Sequence, residues 1–314
     1  MKMHPDKLNH HNYLKVKTDD SWNHGMTSLN EQKYLRWFSQ EVFKDNGAIV
    51  ELGCWLGSLT KSICDGLSGQ NLTDPKIHVY DLFEWEHNME DTCESLKLDY
   101  RGKYKDGEDY STLYKQVMNQ YVKMLRINKL DLVTANWDEG PIELLVVDAM
   151  KYESLCDNIT RQFYPALIPG SSYIVHQDFM HFYESWVHIS TYRLREYICP
   201  VYEVLDSGSM VFKCLNSPPI RLLGFDVKIK DITDSEIDEA YTWALEITDR
   251  RTRNIIGAAH TMAYIHKGNF LRALELYKYY RKEYPPSSSL TPKYYQLDHL
   301  RDYILRFNIV SKWP

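Results

Sequence analysis

Gly53 and Gly57, within residues 47–60, could form part of a binding site for a nucleotide-like ligand. The apolar run 48–52 predicts a strand buried in a parallel sheet, and a helical pattern begins at Ser58. Gly53 and Gly57 lie in the tight turn between the two elements. Such a turn exposes backbone N–H groups and the positive end of the helix, and glycine lets a ligand approach the backbone. The turn is therefore a candidate cofactor site, and an ordinary strand-to-helix turn is the alternative.

A second candidate residue is Asp81, which follows a predicted strand at residues 77–80. A carboxylate at the end of the second strand of a doubly wound sheet is placed to accept hydrogen bonds from ribose hydroxyls. Asp81 lies 30 residues beyond Glu51, whereas about 20 are usual in dinucleotide-binding enzymes. A polar loop at residues 68–76 accommodates the difference. The alternative is that Asp81 only caps its strand.

Polar residues also follow the next two predicted strands. Asn136 and Trp137 come after a third strand at residues 130–135, where the base of a nucleotide would stack. Asp148 comes after a fourth strand at residues 144–147. Strands and helices alternate along this part of the chain, which predicts an α/β fold with a doubly wound, Rossmann-like parallel sheet. Ligands of such sheets bind at the carboxyl ends of the strands, where all these residues lie.

The fifth predicted strand leads into a group of candidate catalytic bases. His176 follows that strand directly and His181 comes five residues later, and a histidine there could act as a general base near neutral pH. Histidines with purely structural partners are the alternative for both, as for His188. Asp148 is another candidate for the base, and so is Lys151, although a solvated lysine is the default expectation.

Four blocks of sequence resemble, in order and spacing, the macrocin O-methyltransferase family. Its members are class I S-adenosylmethionine (SAM)-dependent enzymes that methylate sugar hydroxyls of bacterial macrolides and related antibiotics. The blocks are IVELG with the following Gly57 and Ser58, VYDLFE at 79–84, LVVD with YES at 145–154, and FYPALIPG leading to IVHQD at 163–178. A weaker similarity covers residues 25–39.

The resemblance implies the class I methyltransferase fold and SAM as the cofactor. By position, the SAM-binding residues would be Glu51, Gly53, Gly57 and Ser58 at the methionine end, Asp81 at the ribose, and Asn136 and Trp137 at the adenine.

The resemblance also implies a magnesium ion bound by Asp148, Gln177 and Asp178, which would chelate two neighbouring oxygens of the substrate. A hard cation prefers oxygen ligands and lowers the pKa of a coordinated hydroxyl. The family has two aspartates where this chain has Gln177 and Asp178, so one metal-binding charge is missing. A glutamine carbonyl binds magnesium more weakly, which leaves both a metal-dependent and a metal-independent reaction open.

The composition bears on the class of protein and its partners. The chain has 314 residues, 44% hydrophobic and 25% charged, which suits one large or two modest globular domains. A net charge of −6 gives no basic field that would recruit nucleic acid. The six cysteines form no CxxC pair and indicate free thiols in a reducing, cytoplasmic environment. We see no signal peptide and no apolar run near the roughly 20 residues of a membrane span, so we expect no membrane partner.

Residues 229–314 have a helical pattern that the methyltransferase resemblance does not explain. An amphipathic helix is predicted at 235–247, and residues 264–285 fit the spacing of a single tetratricopeptide-type (TPR-like) helical hairpin. Leu297, Leu300, Ile304 and Phe307 continue as a last helix. Because a solenoid needs about three repeats, we expect the hairpin to pack on the catalytic domain or on a second copy in a homo-oligomer. The predicted domains are an N-terminal arm at 1–24, a methyltransferase domain at 25–228 and a helical extension at 229–314.

These patterns together predict SAM-dependent methyl transfer, foremost O-methylation of a hydroxyl on a sugar or natural-product small molecule, in natural product biosynthesis. A metal-independent N- or C-methyltransferase stays open within the same fold. A non-catalytic binding or scaffold protein is the alternative from another class. The missing family aspartate favours the scaffold, and the presence of Glu51, Gly53, Asp81 and Asp148 opposes it.

Overall fold

A seven-stranded sheet forms the centre of the protein in the computed structural model, which describes residues 7–17, 25–70, 76–183, 185–224, 228–286 and 296–306. The strands are β1 (Ala48–Leu52), β2 (Ile77–Asp81), β3 (Leu125–Lys129), β4 (Ile142–Val147), β5 (Tyr173–His176), β6 (Ile198–Glu203) and β7 (Met210–Cys214). Their spatial order is β3-β2-β1-β4-β5-β7-β6. Neighbours among the first five strands pair in parallel, and β7 runs antiparallel to both β5 and β6. The predicted α/β, Rossmann-like fold is confirmed.

Helices cover both faces of this sheet, as a doubly wound fold requires. They are α1 (Leu29–Trp37), α2 (Ser58–Leu67), α3 (His87–Ser95), α4 (Ser111–Val117), α5 (Glu153–Phe163), α6 (Ser185–Arg193), α7 (Asp234–Ile247), α8 (Arg253–Lys267), α9 (Phe270–Glu283) and α10 (Gln296–Arg306). The helices α1 to α4 share one apolar cluster with one face of the sheet, and α5 to α10 share a second cluster with the other face.

The central strands are apolar because both of their faces are covered. Along β1, Ile49 belongs to the cluster with α1 and α2, whereas Val50 and Leu52 belong to the cluster with α5. All five residues of β1 and all six of β4 are buried. This double burial produces the continuous apolar run that predicted a parallel strand, and it places the carboxyl ends of β1 and β4 side by side.

The helix α1 before the first strand starts at a capping box. Ser28 and Glu31 form it, with the Glu31 backbone N–H donating to Ser28 Oγ at 3.2 Å and the Ser28 N–H donating to the Glu31 carboxylate at 2.7 Å. The helix continues after Trp37 as a short π-helical segment, Phe38–Val42.

One local prediction was wrong. The third strand is Leu125–Lys129 and not residues 130–135, which lie in the connection after it. Within the predicted N-terminal arm, His10–Lys15 form a 3-10 helix in which His10 and Tyr13 are buried. There the ring of His10 stacks on Tyr202 of β6 with centroids 5.2 Å apart and packs edge-on to Trp37 of α1 at 5.8 Å. These aromatic neighbours bury His10.

The C-terminal helices pack on the sheet-bearing part of the same chain. The Tyr241 hydroxyl of α7 donates to the Ser185 carbonyl at 2.9 Å, and the ring of His266 in α8 stacks on Trp186 with centroids 5.4 Å apart. In α10, Leu297, Leu300 and Ile304 are buried as predicted, while Phe307 lies outside the described residues. The two helices of the predicted hairpin, α8 and α9, are present and meet at Gly268; the TPR-like relationship and the oligomer contact stay predictions.

No helix in the described ranges combines the length and the apolar character that crossing a membrane requires.

Candidate active site

The turn from β1 into α2 has a backbone that requires glycine. Gly53 and Gly57 have φ values of +82° and +85°, and a Cβ at Gly53 would lie 2.7 Å from the Asp148 carbonyl oxygen. Trp55 between them is also left-handed, with φ +41°. A non-glycine residue in this conformation is strained, and such strain is concentrated at ligand-binding and catalytic sites.

Asp81 holds this turn in place from the end of β2. One carboxylate oxygen accepts the backbone N–H groups of Cys54 and Trp55, each at 3.0 Å. The other oxygen accepts the Phe83 N–H at 2.7 Å and the Tyr110 hydroxyl at 3.2 Å. Four donors match the roughly four acceptor sites of a carboxylate. A ribose that binds Asp81 must therefore replace or share one of them, and the longest of the four bonds is the one from Tyr110.

The segment 84–107 after β2 forms a flap whose two ends are tied together next to Asp81. The backbone returns at residue 110, where the Tyr110 N–H donates to the Phe83 carbonyl at 2.9 Å, and Trp85 donates to Glu108 at 2.9 Å. The Trp85 side chain is buried and stacks on Tyr104. The flap is therefore a folded unit. Tyr110, which follows it in the chain, donates its hydroxyl to Asp81.

Glu51 lies beneath the turn, where its carboxyl group is hydrogen-bonded to another side chain of the protein. Its carboxylate is 1% exposed and accepts a hydrogen bond from Thr60 Oγ1 of α2 at 2.6 Å. Burial raises the pKa of Glu51 to about 8, and the negative charge of Asp81 acts in the same direction. The Thr60 hydroxyl also receives a bond from Tyr114 at 3.1 Å. Glu51 therefore supports the turn from within the core, so a direct contact with SAM stays a prediction.

Ser58, the first residue of α2, is buried under the segment that precedes α1. Its Oγ lies 2.5 Å from Thr27 Oγ1, and a Cβ at Gly25 would lie 2.4 Å from Ser58 Cβ. Gly57 is covered in the same way, since a Cβ there would lie 2.7 Å from Met118 Sδ. Of the residues predicted for the methionine end of SAM, Gly53 is the one that stays partly exposed.

The residues predicted for adenine do not lie together with the others. Because β3 ends at Lys129, the chain has already turned back along the sheet at Trp137. The indole of Trp137 packs edge-on to His78, with centroids 4.9 Å apart, and donates to the Gly140 carbonyl at 2.7 Å. Trp137 is thus a core residue, and Asn136 beside it is exposed.

An ammonium group lies between the two aspartates that were predicted to bind magnesium. Lys151 Nζ donates to Asp148 Oδ1 at 2.9 Å and also to Asp178 Oδ2. Burial raises the pKa of Asp148, and the charge of Asp178 adds to this effect against that of Lys151. Burial acts in the same direction on Asp178, but the charges of Lys151 and His181 outweigh it and lower the pKa of that carboxyl.

These residues do not fit a magnesium ion. A divalent ion bound to the same two carboxylates would lie about 4 Å from the Lys151 ammonium. At an effective dielectric constant near 20, the ammonium would repel that ion by roughly 8 kcal/mol, which opposes the attraction of the carboxylates. Gln177 contributes no charge to the site. No group of three His, Cys, Asp or Glu side chains is arranged for a metal in the described part of the chain.

The candidate histidines differ in their access to solvent. His176 is 2% exposed, its Nε2 lies 2.7 Å from the Tyr164 hydroxyl, and burial lowers its pKa to about 3, helped by the nearby His188. His188 is buried as well and its Nε2 lies 2.8 Å from the Phe179 carbonyl. His181 is partly exposed and stacks on Tyr183 with centroids 4.7 Å apart. A role as base therefore suits Asp148 and His181 better than His176.

Several residues that sequence reasoning did not single out belong to this edge of the sheet. Trp55 is 8% exposed, and its Nε1 has no hydrogen-bond partner among the described residues. Tyr110 completes the Asp81 cluster, and the side chains of Leu82 and Tyr152 are 41% and 47% exposed after β2 and β4. Exposed apolar side chains of this kind commonly line sites for aromatic ligands. The left-handed turn and the orphaned Trp55 N–H are thus compatible with SAM.

Comparison with known proteins finds methyltransferases among solved structures. No family model matches the chain, and neither does any curated protein. The chain is similar to the O-methyltransferase NovP, at 20% identity over 62% of this chain and 84% of that one, with a TM-score of 0.45. It is also similar to the 23S rRNA methyltransferase ErmE, at 12% identity over 89% and 98%, TM-score 0.32. Coclaurine N-methyltransferase, whose structure contains N-methylheliamine and S-adenosylhomocysteine, matches at 13% identity over 89% and 79%, TM-score 0.28.

Proposed function

We propose that this protein is a SAM-dependent methyltransferase that methylates a hydroxyl oxygen of a small molecule. The observation that carries the proposal is the strained turn after β1, which Asp81 holds through the Cys54 and Trp55 N–H groups. Beside it, at the ends of β4 and β5, lies the cluster of Asp148, Lys151 and Asp178. Ligands of such sheets bind at the carboxyl ends of neighbouring strands, and both the turn and the charged cluster lie there.

Three residues around the turn would hold the cofactor: Gly53, Trp55 and Asp81. Gly53 and Trp55 supply the turn, Asp81 supplies the carboxylate for the ribose, and Tyr110 yields its place to a ribose hydroxyl. When bound, SAM supplies a methyl group on a positively charged sulfur. The protein then has to orient the acceptor oxygen and remove its proton.

We assign proton removal to Asp148, with His181 as the second candidate. Asp148 follows β4 directly, and its side chain is 31% exposed, so an acceptor hydroxyl can reach it. The neighbouring Lys151 ammonium stabilises the negative charge that develops on an acceptor oxygen as its proton leaves, whereas an amine nitrogen becomes positively charged on methylation and would be repelled. This argument favours O-methylation over the N-methylation alternative, and a net charge of −6 supports a small molecule over RNA. We further propose that the substrate is a sugar or a natural product and that the protein is cytoplasmic.

Calorimetric titration with S-adenosylhomocysteine tests this function without knowledge of the acceptor. We expect the wild type to bind one equivalent. Asp81→Ala should lose roughly 2–4 kcal/mol, about 30- to 1,000-fold in affinity, because charge-assisted hydrogen bonds are lost. The matched control is Tyr110→Phe, which removes one bond to the same carboxylate and should leave the affinity equal or higher.

The thermal unfolding midpoint of each variant is measured as well. A variant that loses affinity but keeps its midpoint has lost a ligand contact, whereas a lower midpoint indicates that the turn itself is disturbed. A folded wild type that takes up no S-adenosylhomocysteine would refute the cofactor. Equal affinities of the wild type and Asp81→Ala would refute the role of Asp81.

A further inference from the structure

The ammonium group of Lys151 is built into the cluster at the ends of β4 and β5. Lys151 Nζ joins Asp148, which ends β4, to Asp178, which follows β5. These two carboxylates lie 30 residues apart in the sequence, and the parallel pairing of β4 with β5 brings them together. The side chain of Lys151 is 45% exposed, more than either carboxylate, so its charge faces the region that a substrate can reach.

The backbone around Lys151 is fixed on both sides. The Asp148 N–H donates to the Leu52 carbonyl of β1 at 2.9 Å, and the indole N–H of Trp186 donates to the Met150 carbonyl. Ala149 and Met150 are buried. Lys151 therefore projects from a short connection that is tied to the sheet and to α6, and its ammonium group lies within hydrogen-bond reach of both Asp148 and Asp178.

The formal charges of the cluster also bear on whether it can hold a metal. Counted as ionised groups, two carboxylates and one ammonium leave a formal net charge of −1, and the neutral Gln177 stands where the resemblance expects a third carboxylate. A third carboxylate would raise the negative charge next to an ammonium that can compensate only one. The glutamine at 177 and the lysine at 151 are therefore consistent with each other, and each is unfavourable for a divalent metal.

We propose that Lys151 supplies the fixed positive charge of the reaction, so that methyl transfer in this protein requires no divalent metal ion. The inference rests on the proposed function. Lys151 would act by binding the acceptor oxygen: its ammonium donates a hydrogen bond to a neutral hydroxyl and stabilises the negative charge that develops as the proton leaves for Asp148. The flanking carboxylates repel anionic groups, so the acceptor is an uncharged hydroxyl.

Binding of Mn²⁺ tests whether the ammonium occupies the place of the metal. We expect no binding to the wild type at submillimolar Mn²⁺ in electron paramagnetic resonance titrations. The double variant Lys151→Met with Gln177→Asp has three carboxylates and no ammonium, and it should bind Mn²⁺ at least about tenfold more tightly than the wild type. Gln177→Asp alone is the matched control, and it should stay weak because Lys151 is still present.

Thermal unfolding gives a second measurement that does not depend on the double variant. Lys151→Ala leaves two carboxylates without their counterion, so its midpoint should fall and should recover when Mn²⁺ is added, whereas the midpoint of the wild type should not change with Mn²⁺. Stoichiometric Mn²⁺ binding by the wild type, or equal binding by Gln177→Asp and the double variant, would overturn the proposal.

Titration of the same proteins with S-adenosylhomocysteine separates the two proposals. If the wild type binds S-adenosylhomocysteine and also binds Mn²⁺ tightly, the assignment of Lys151 fails and the methyltransferase function stands. If the wild type binds neither, the proposed function fails, and with it the catalytic role of Lys151, although the ammonium still excludes the metal.

Discussion

The buried carboxyl group of Glu51 makes the stability of this protein depend on pH. Its pKa is raised from 4.5 to about 8 by burial, so the folded state retains a proton that the unfolded chain releases. The stabilisation by this proton is fully present below pH 4.5 and is lost as the pH rises through about 8. At roughly 1.4 kcal/mol per pH unit, folding loses about 3 kcal/mol between pH 4.5 and 7 through this group.

Glu51→Gln should remove this dependence. A glutamine resembles the protonated carboxyl in shape, and its carbonyl can still accept the bond from Thr60. We therefore expect the variant to be more stable than the wild type by about 3 kcal/mol at pH 7 and about equal to it at pH 4.5.

The measurement is urea unfolding followed by tryptophan fluorescence at several pH values between 4.5 and 8. Glu41→Gln makes the same change at an exposed position, and its effect should stay within about 0.5 kcal/mol at every pH. A constant difference between Glu51→Gln and the wild type over this range, or a variant less stable at pH 8, would refute the reasoning.

Three further predictions concern the parts around the site. Ser28→Ala removes the acceptor for the Glu31 N–H and should cost about 1 kcal/mol in urea unfolding, whereas an unchanged midpoint would contradict the capping box. Trp137→Phe removes the bond to Gly140 and should lower stability by about 1 kcal/mol without changing the affinity for S-adenosylhomocysteine; a tenfold weaker affinity would restore Trp137 to the adenine site. Deletion of residues 230–314 should expose the apolar cluster that α7 to α10 share with the sheet and lower the thermal midpoint, and an unchanged midpoint would show that the extension is an independent module.

The turn after β1 could be predicted from the sequence because its signals are local. An apolar run buried on both faces of the sheet changes at Gly53 into a helical pattern, and both glycines have the left-handed backbone that favours this residue. The position of Asp81 followed in the same way from the end of a second apolar run. The bonds that Asp81 makes with Cys54 and Trp55 were not predictable, because they depend on β2 lying beside β1.

The third strand was misplaced because two neighbouring segments compete for the position beside β2. Residues 130–135 are more apolar than Leu125–Lys129, yet the latter pair with β2, starting with Leu125 opposite Ile77. The shift moved the predicted end of the strand by six residues, and Trp137 with it. Tertiary pairing here overrode the local pattern.

The roles of Lys151 and His176 depend on geometry that one segment cannot specify. A lysine after a strand is solvated by default, and its contact with Asp178 exists because β4 and β5 are neighbours. His176 ends β5, and the sequence does not reveal which face of the sheet its ring occupies. In the structure the ring lies beside Tyr164 and Phe212, on the buried side with α5.

A crystal structure of the wild type with S-adenosylhomocysteine tests the central claim most directly. We expect the ligand in the turn between β1 and α2, with its ribose hydroxyls on Asp81 and the Tyr110 hydroxyl displaced from that carboxylate. Clear density for the protein with no ligand at this turn at saturating S-adenosylhomocysteine, or with the ligand bound elsewhere, would contradict the claim.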